Sequence, residues 1–477
     1  MKKKLIIVLT AIIMIVGIDG YKFANGQTGT NKTDKVIGFW EHEADSVWKY
    51  IYEFRIKNDH SLSGIVHSYF YGIKDSESPI ENIKILFPEV TLQFGSPSNI
   101  EQVFIIDTVK NIMEGEIELP DQSKIKMLLH KLSFSKIEGV FPRKSQVTVY
   151  SPPILRNDGI LVGDLSENKK LTQGIDSAIS QIINKEYGLI FSLLIAHKNQ
   201  LIVEEYFYDH NINTLENQSS VTKSIVGLLI MAALEDHYIK GLDENINVYL
   251  DYDFSQAISI HDLLSMKAGM ELSGEAWRDS DNRLQTLLNR EIVNKPGSVF
   301  LYDNGIPNIL NAIIFNATNK HADQYAYDRI FKKIGITEYN WDINKQNGFP
   351  DGSGTLQLSS RDMLKIGLLV LNKGKWAGEI LIEEANINKL FERNTWLEDY
   401  KMGYGLLWWI REIEINNKSY EVIYASGSGG RFIIVIPELE VVAILTGGNY
   451  NRSEHYKSWE LLKPLILRIV ENRKDQF

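Results

Sequence analysis

A run of apolar residues near the middle of the chain constrains the fold more than any other stretch. From Val221 to Leu234 almost every side of a helix would be apolar, and Lys223 is the single charge. A helix that is apolar all round is buried, so a large domain must surround this segment. Residues 217–219 are polar and are typical of a helix start. The sequence therefore predicts a buried helix with Ser220 in its first turn.

Ser220 and Lys223 lie three positions apart, and side chains at this spacing share one face of a helix. A serine hydroxyl becomes a nucleophile when a neighbour takes its proton, and a lysine in apolar surroundings can lose its charge readily enough to assist. The same spacing recurs at Ser46–Lys49, Ser123–Lys126, Ser133–Lys136 and Ser166–Lys169. For any single pair, the alternative interpretation is a helix cap followed by a solvated lysine. Only the Ser220 pair precedes a long apolar helix.

Composition excludes several classes of function. The chain has 477 residues, enough for roughly three domains or two larger ones. Its net charge of −10 and its pI near 5.6 argue against nucleic acid as the main partner. The absence of cysteine excludes disulfides, thiolate metal sites and a cysteine nucleophile. Because the ten histidines form no close pair with ligand spacing, we predict no metal site.

The first 26 residues are typical of an export signal. Three lysines at 2–4 precede an apolar run from Leu5 to Ile18, which is short for a membrane-spanning helix. Residues 19–26 contain no clear cleavage site, so cleavage and retention as an anchor both stay open. We predict an extracytoplasmic protein, periplasmic or secreted, that is attached to the membrane if this segment is retained.

Residues 36–142 are predicted to form a β-rich domain, a small antiparallel barrel or sandwich, because short alternating runs are separated by turn residues such as Asp75-Ser76. The runs are Trp48–Ile56, Ser63–Tyr71, Ile83–Phe87, Thr91–Phe94, Gln102–Asp107, Met113–Leu119 and Ile125–Leu132. Gly38-Phe39-Trp40 resembles the opening of lipocalin-like barrels. Because these residues show no group of candidate catalytic side chains, we interpret this domain as a module that packs against the rest of the protein or docks a partner, which the sequence does not identify. Residues 143–164 indicate a linker that few contacts should cross, so the module should be separable.

Residues 165–477 show another pattern. Two early runs, 188–196 and 200–208, are predicted to form adjacent strands joined by a turn. Helices follow, and the last third again favours strands before a closing helix over Trp459–Glu471. Because strands stand at both ends of the segment, one sheet must be built from both ends. The pattern predicts an α/β sandwich with a helical insert.

Three motifs follow one another in this segment: Ser220-x-x-Lys223, Tyr302-x-Asn304, and the run 426–430 (Ser-Gly-Ser-Gly-Gly) before a strand. Together they resemble the serine beta-lactamase and penicillin-recognising superfamily, most closely its class C-like branch of esterases, D-amino-peptidases and 6-aminohexanoate-oligomer hydrolases. The resemblance covers about residues 165–475. It also includes the phrases Ile260-x-Asp262-Leu263-Leu264-Ser265, Pro296-Gly297, Asp351-Gly352-Ser353-Gly354 and Tyr404-Gly405-x-x-Trp408-Trp409. It implies a beta-lactamase/transpeptidase-like antiparallel sheet flanked by helices.

The resemblance also implies a role for each motif residue. Ser220 would attack a carbonyl carbon, and Lys223 and the phenol of Tyr302 would relay its proton. Backbone N–H groups of Ser220 and of the strand that starts near Ser428 would form an oxyanion hole. The implied substrate-binding residues are Asn304, Ser426, Gly427, Ser428 and Arg431. No cofactor is implied.

Two positions depart from the superfamily pattern. Ala425 stands where a lysine or histidine usually helps to grip a substrate carboxylate, although Arg431 lies close in sequence. Asp303 stands where small residues are usual, and a carboxylate there would favour a charged Lys223 and weaken it as a base. Both departures put beta-lactam hydrolysis in doubt more than acyl transfer in general.

We therefore predict an exported serine hydrolase that forms an acyl-enzyme on Ser220 and acts on an ester or amide, in a small molecule or a peptide. One alternative is a cell-wall peptidase or transpeptidase that acts on D-amino-acid peptides. The other is a catalytically silent binding protein on the same fold. The sequence does not identify the substrate, because substrate specificity depends on loops whose shape cannot be predicted from the sequence.

Overall fold

The structure, a computed structural model, describes residues 32–44, 48–57, 59, 61–70, 72–95, 100–118, 124–133, 136–137, 139–143, 149–274, 276–341, 349–450 and 457–471. The predicted export signal, residues 1–26, lies outside these ranges. Within them, no helix combines the length and the apolar character needed to cross a membrane.

Nine antiparallel strands form the N-terminal sheet after a short helix, α1 (Lys32–Val36). They are β1 (Gly38–Glu43), β2 (Trp48–Ile56), β3 (Leu62–Phe70), β4 (Ile73–Ile80), β5 (Asn82–Leu86), β6 (Glu89–Gln93), β7 (Glu101–Asp107), β8 (Ile112–Glu118) and β9 (Lys124–Lys131). The order is β4-β3-β2-β1-β9-β8-β7-β6-β5. The sheet is nearly closed, because Gly64 of β3 packs against Ile83 of β5. Alternate side chains fill an apolar interior, and the prediction of a β-rich, barrel-like domain is confirmed.

One part of that prediction is wrong. Asp75-Ser76 lies inside strand β4 and not in a turn. Alternate residues of β4 are buried, among them Lys74 at 1% exposure. The polar sequence resembles a turn, but its partners lie elsewhere in the chain, so no local pattern could reveal the strand.

The C-terminal domain contains helices on both sides of a sheet. Its strands are β10 (Leu161–Val162), β11 (Ile190–His197), β12 (Gln200–Tyr206), β13 (Glu216–Asn217), β14 (Asn340–Trp341), β15 (Leu356–Leu358), β16 (Lys375–Trp376), β17 (Glu379–Ile380), β18 (Thr395–Leu397), β19 (Met402–Tyr404), β20 (Trp409–Ile415), β21 (Lys418–Gly427), β22 (Arg431–Ile436) and β23 (Val441–Gly447). Its helices are α2 (Lys169–Ile183), α3 (Val221–Glu235), α4 (Ile260–Leu264), α5 (Arg283–Leu288), α6 (Ile306–Thr318), α7 (Ala322–Ala326), α8 (Ser360–Leu371), α9 (Glu384–Lys389) and α10 (Lys457–Glu471).

The main sheet has the order β10-β12-β11-β23-β22-β21-β20-β19-β18 and is antiparallel except between β10 and β12. Early β11 pairs with late β23 over Ile190–His197, so the sheet is built from both ends of the domain, as predicted. One face packs against α2 and α10. The other face packs against α8 and against the buried helix α3. The predicted α/β fold with a helical insert is confirmed.

The two domains share a buried polar interface, so the expectation of few contacts across the linker is wrong. Glu77 of β4 accepts hydrogen bonds from Lys185 through both carboxylate oxygens, each at 2.8 Å. Tyr450 donates its hydroxyl to Asp75 at 2.6 Å. Arg143 forms an ion pair with Glu205 at the same junction. These partners are far apart in sequence, and sequence patterns therefore could not reveal their contact.

Candidate active site

Ser220 and Lys223 are in direct contact at the start of α3. Ser220 is the N-cap residue of the helix, and Lys223 Nζ lies 2.8 Å from Ser220 Oγ. The same nitrogen donates to the backbone oxygen of Ser353, also at 2.8 Å. Lys223 is only 1% exposed, because the helix is enclosed by the core. The hydroxyl of the half-buried Ser220 is thus in contact with a buried amine nitrogen.

Two other pairs with this spacing provide a comparison. Ser133–Lys136 and Ser166–Lys169 both lie at the surface. Ser166 Oγ donates to Asp164 at 2.6 Å, a local bond within an exposed turn. Ser46 and Ser123 are outside the described residues. Burial, and not spacing, therefore distinguishes the Ser220 pair.

The backbone just before the helix is strained. Ser219 has a φ of 47°, in the left-handed region that costs a non-glycine residue about 1–3 kcal/mol. Its N–H donates to Asn217 Oδ1 at 2.7 Å, and the N–H of Gln218 donates to the backbone oxygen of Leu356 at 2.8 Å. These bonds hold the turn that brings Ser220 to the start of the helix.

The third motif lies against this turn. A Cβ on Gly427 would clash with the backbone oxygen of Gln218 and would lie 3.3 Å from Ser220 N, so only glycine allows this approach. Gly429 and Gly430 then adopt φ values of 90° and 83°, which reverse the chain from β21 into β22. Ser428, between them and β21, is exposed, and Ser426 is half-buried. Backbone groups of the turn and of Ser220 are thus close neighbours.

The ring of Tyr302 lies close to Lys223. Lys223 Nζ is 5.2 Å from the centroid of the Tyr302 ring. Trp409 and Tyr404 pack against that ring with centroid distances of 5.7 and 6.1 Å. Burial raises the pKa of Tyr404 well above its usual value, and the nearby Tyr302 adds to this. Asn304 stands at the start of α6, where its backbone oxygen accepts a hydrogen bond from the side chain of Asn308 at 3.1 Å.

The carboxylate of Asp303 is paired with Arg290. Its Oδ2 forms an ion pair with Arg290, and its Oδ1 accepts from Ser273 at 2.5 Å and from the N–H of Gly305 at 2.6 Å. Asp303 is 4% exposed. Its charge is therefore compensated locally, which weakens the expectation that it would hold Lys223 charged.

Removing the Asp303 carboxylate should destabilise the fold. Asp303→Ala leaves the buried Arg290 without its counter-charge, and breaking a buried ion pair costs about 3–5 kcal/mol. Urea unfolding should show this loss, and the double variant with Arg290→Met should recover part of it. Strictly additive losses would contradict the coupling of the two side chains.

Arg431 and Ala425 bear on the predicted grip of a substrate carboxylate. Arg431 is 2% exposed, and its Nη1 donates to the backbone oxygen of Ser428 at 2.8 Å. Its Nη2 lies 4.0 Å from Asp75, in the domain interface. Ala425 is completely buried in the core. This burial argues against Arg431 as a substrate-binding cation.

Sequence reasoning missed the role of Ser353, whose backbone oxygen receives Lys223. Asp351 Oδ1 accepts from both the N–H and the hydroxyl of Ser353, at 2.8 and 2.6 Å. Arg278 donates to Asp351 at 2.5 Å and to Ser353 Oγ at 2.8 Å. Although burial acts against it, Arg278 and the Ser353 donors hold the pKa of Asp351 below its usual value. The Asp-x-Ser spacing, typical of an Asx turn, was the available signal.

Comparison with known proteins gives a family match and several similar solved structures. The Beta-lactamase family model matches residues 188–463. Among solved structures, a candidate 6-aminohexanoate-dimer hydrolase from Bacillus anthracis has 19% identity and a TM-score of 0.53, covering 61% of this chain and 81% of its own. A candidate beta-lactamase from Bacteroides dorei has 16% identity and a TM-score of 0.52, covering 61% and 97%. EstCE1, a hydrolase with promiscuous acyltransferase activity, has 14% identity and a TM-score of 0.52, covering 62% and 100%. These identities establish the shared fold alone. No curated protein matches the chain.

Proposed function

The chain belongs to the Beta-lactamase family and is a serine hydrolase, and from this premise we propose that it forms an acyl-enzyme on Ser220 and hydrolyses an ester or an amide. The observation that carries this proposal is the 2.8 Å contact between Ser220 Oγ and the buried Lys223 Nζ. A nucleophile and a base within hydrogen-bond reach are what acyl transfer requires.

In the proposed reaction, Ser220 Oγ bonds to the substrate carbonyl carbon while its proton passes to Lys223 Nζ. Lys223 must be neutral, or must pass its own proton to a deprotonated Tyr302, for this transfer to occur. The backbone oxygen of Ser353 directs the amine, because it accepts one of its N–H groups. The leaving alcohol or amine takes the proton, and water then repeats the sequence to release the acyl group.

The carbonyl oxygen becomes an anion in the tetrahedral intermediate and needs preorganised donors. We assign this role to the backbone N–H groups of Ser220 and Ser428. Supporting the assignment, Gly427 packs against the backbone of Ser220, so the turn that follows it begins beside the nucleophile. We propose, as predicted from the sequence, that Ser426 and Asn304 contact the amide or ester group of the substrate.

Neutral substrates are the proposed class. Ala425 offers no charge, and Arg431 is buried in the domain interface. A charge-assisted hydrogen bond to a substrate carboxylate contributes about 1.5–3 kcal/mol, or roughly ten- to a hundredfold in binding or rate. Without that contribution, short neutral acyl esters or amides should be processed better than carboxylate-bearing beta-lactams or D-amino-acid peptides.

We expect measurable hydrolysis of p-nitrophenyl acetate or butyrate and little or no turnover of a chromogenic cephalosporin. Initial rates under the same conditions test this. Ala425→Lys should shift the ratio toward the cephalosporin, and its stability must be followed because Ala425 lies in the core. Faster cephalosporin turnover by the wild type would contradict the argument and would point to another cation.

We also propose that the protein is exported, on the evidence of the basic and apolar segment 1–18. Cell fractionation together with N-terminal sequencing of the mature protein tests this. An activity confined to the cytoplasmic fraction would overturn it, while an intact N-terminus in the membrane fraction would indicate a retained anchor.

A further inference from the structure

Strand β4 of the N-terminal domain contacts the C-terminal domain near the turn 427–430 through two consecutive residues, Lys74 and Asp75. His210 donates through Nε2 to the backbone oxygen of Lys74 at 3.2 Å. The carboxylate of Asp75 accepts from the Tyr450 hydroxyl at 2.6 Å and lies 4.0 Å from Arg431 Nη2. A Cβ on Gly448 would clash with the backbone oxygen of Asp75. The two domains are therefore in backbone contact at this point.

Arg431 connects Asp75 to the third motif. Its Nη1 donates to the backbone oxygen of Ser428 at 2.8 Å, within the turn 427–430. Gly429 is left-handed in this turn, and a Cβ on it would collide with the Arg431 guanidinium. Asn449 supports the same turn, because its N–H donates to the backbone oxygen of Gly429 at 2.8 Å. The turn is therefore folded around the Arg431 side chain, and the guanidinium of Arg431 also lies near the carboxylate of Asp75.

A second path leads from Lys74 toward the nucleophile. His210 Nδ1 lies 3.2 Å from Glu216 Oε1, and both side chains are buried. Glu216 begins strand β13, which continues into the strained turn before the nucleophile. In that turn the side chain of Asn217 accepts a hydrogen bond from the N–H of Ser219. Strand β4 thus contacts the supports of both backbone segments that meet at the proposed oxyanion hole.

We propose that Asp75 is a positioning residue of the active site, which acts through Arg431 to fix the turn 427–430 beside Ser220. This inference rests on the proposed acyl-transfer function. Backbone donors stabilise an oxyanion when they are preorganised, and a misplacement of about 1 Å costs about a hundredfold in rate. The N-terminal domain thereby contributes to catalysis without touching the substrate.

The test compares Asp75→Ala with Lys185→Met in the full chain. Lys185 is a matched control, since it is also buried in the interface and binds Glu77 of β4, two residues beyond Asp75. For p-nitrophenyl butyrate, Asp75→Ala should lower kcat about ten- to a hundredfold with KM nearly unchanged. Lys185→Met should lower Tm but keep kcat. Asp75→Asn retains an acceptor for Tyr450, so it should fold and lose less activity than Asp75→Ala.

A second measurement separates this inference from the proposed function. Hydrogen exchange of the backbone amides at 428–431 should become faster in Asp75→Ala and stay unchanged in Lys185→Met. Unchanged exchange at these amides in both Asp75 variants, or equal kcat losses in Asp75→Ala and Lys185→Met, would overturn the positioning role. If Asp75→Ala accelerates this exchange but the wild type hydrolyses neither esters nor amides, the coupling is supported and the proposed function is overturned instead.

Discussion

Replacing Ser220 by alanine should abolish acylation while leaving the fold intact. The wild type should take up one fluorophosphonate label per chain, on Ser220, and Ser220→Ala should take up none. Hydrolysis of p-nitrophenyl butyrate should fall by about 10⁴-fold or more, as expected when a nucleophile is removed. The hydroxyl makes no side-chain capping bond, and without it Lys223 keeps its hydrogen bond to the backbone oxygen of Ser353, so the loss of stability should be small.

The chain contains its own control for this experiment. Ser166→Ala removes a serine with the same spacing to a lysine, but at the surface. It should keep full labelling and full activity. Intact-mass analysis and peptide mapping distinguish the outcomes: a label on Ser426, or on no residue, would refute Ser220 as the nucleophile. Absence of any label with normal folding would favour a binding protein on this fold.

The elements that could be predicted from the sequence have local signals. The apolar run from Val221 requires a buried helix, and the three-residue spacing places Ser220 and Lys223 on one face of it. The position of α3 and the contact between these two side chains therefore follow from periodicity. The strands β11 and β12 and the turn between them follow in the same way. The resemblance to the beta-lactamase superfamily, which rests on three ordered motifs, is confirmed by the family match.

What could not be predicted depends on partners distant in the chain. The Asp75–Tyr450 bond joins residues 375 positions apart. Strand β4 has the polar sequence of a turn, because Asp75 and Glu77 are paired with Tyr450 and Lys185 of the other domain. The effect of Asp303 could not be predicted for the same reason, since its carboxylate is paired with Arg290 and this contact is visible only in the fold. Arg431 follows two glycines in sequence, and only the fold shows which way its side chain points.

Replacing Lys223 should show whether it accepts the Ser220 proton or only supplies a positive charge. Lys223→Met keeps the length of the side chain but removes the amine, and if this amine is the general base its loss should lower kcat by about 10²–10⁴-fold. The backbone oxygen of Ser353 loses its donor, which costs about 1–3 kcal/mol. Ser224→Ala is the matched control, because it removes a buried hydroxyl on the same helix that donates to the backbone oxygen of Leu407 at 2.7 Å. It should cost similar stability in urea unfolding but retain kcat.

Lys223→Arg then decides what the lysine supplies. An arginine keeps the positive charge but cannot lose a proton at neutral pH. If Lys223 takes the Ser220 proton, the arginine variant should be as slow as Lys223→Met, both in ester hydrolysis and in the rate of fluorophosphonate labelling. If Lys223 acted only as a fixed cation, Lys223→Arg would retain most of the wild-type rate and Tyr302 would have to be the base. The 2.8 Å contact between Lys223 Nζ and Ser220 Oγ favours the first outcome, because a base must lie within hydrogen-bond reach of the proton that it takes.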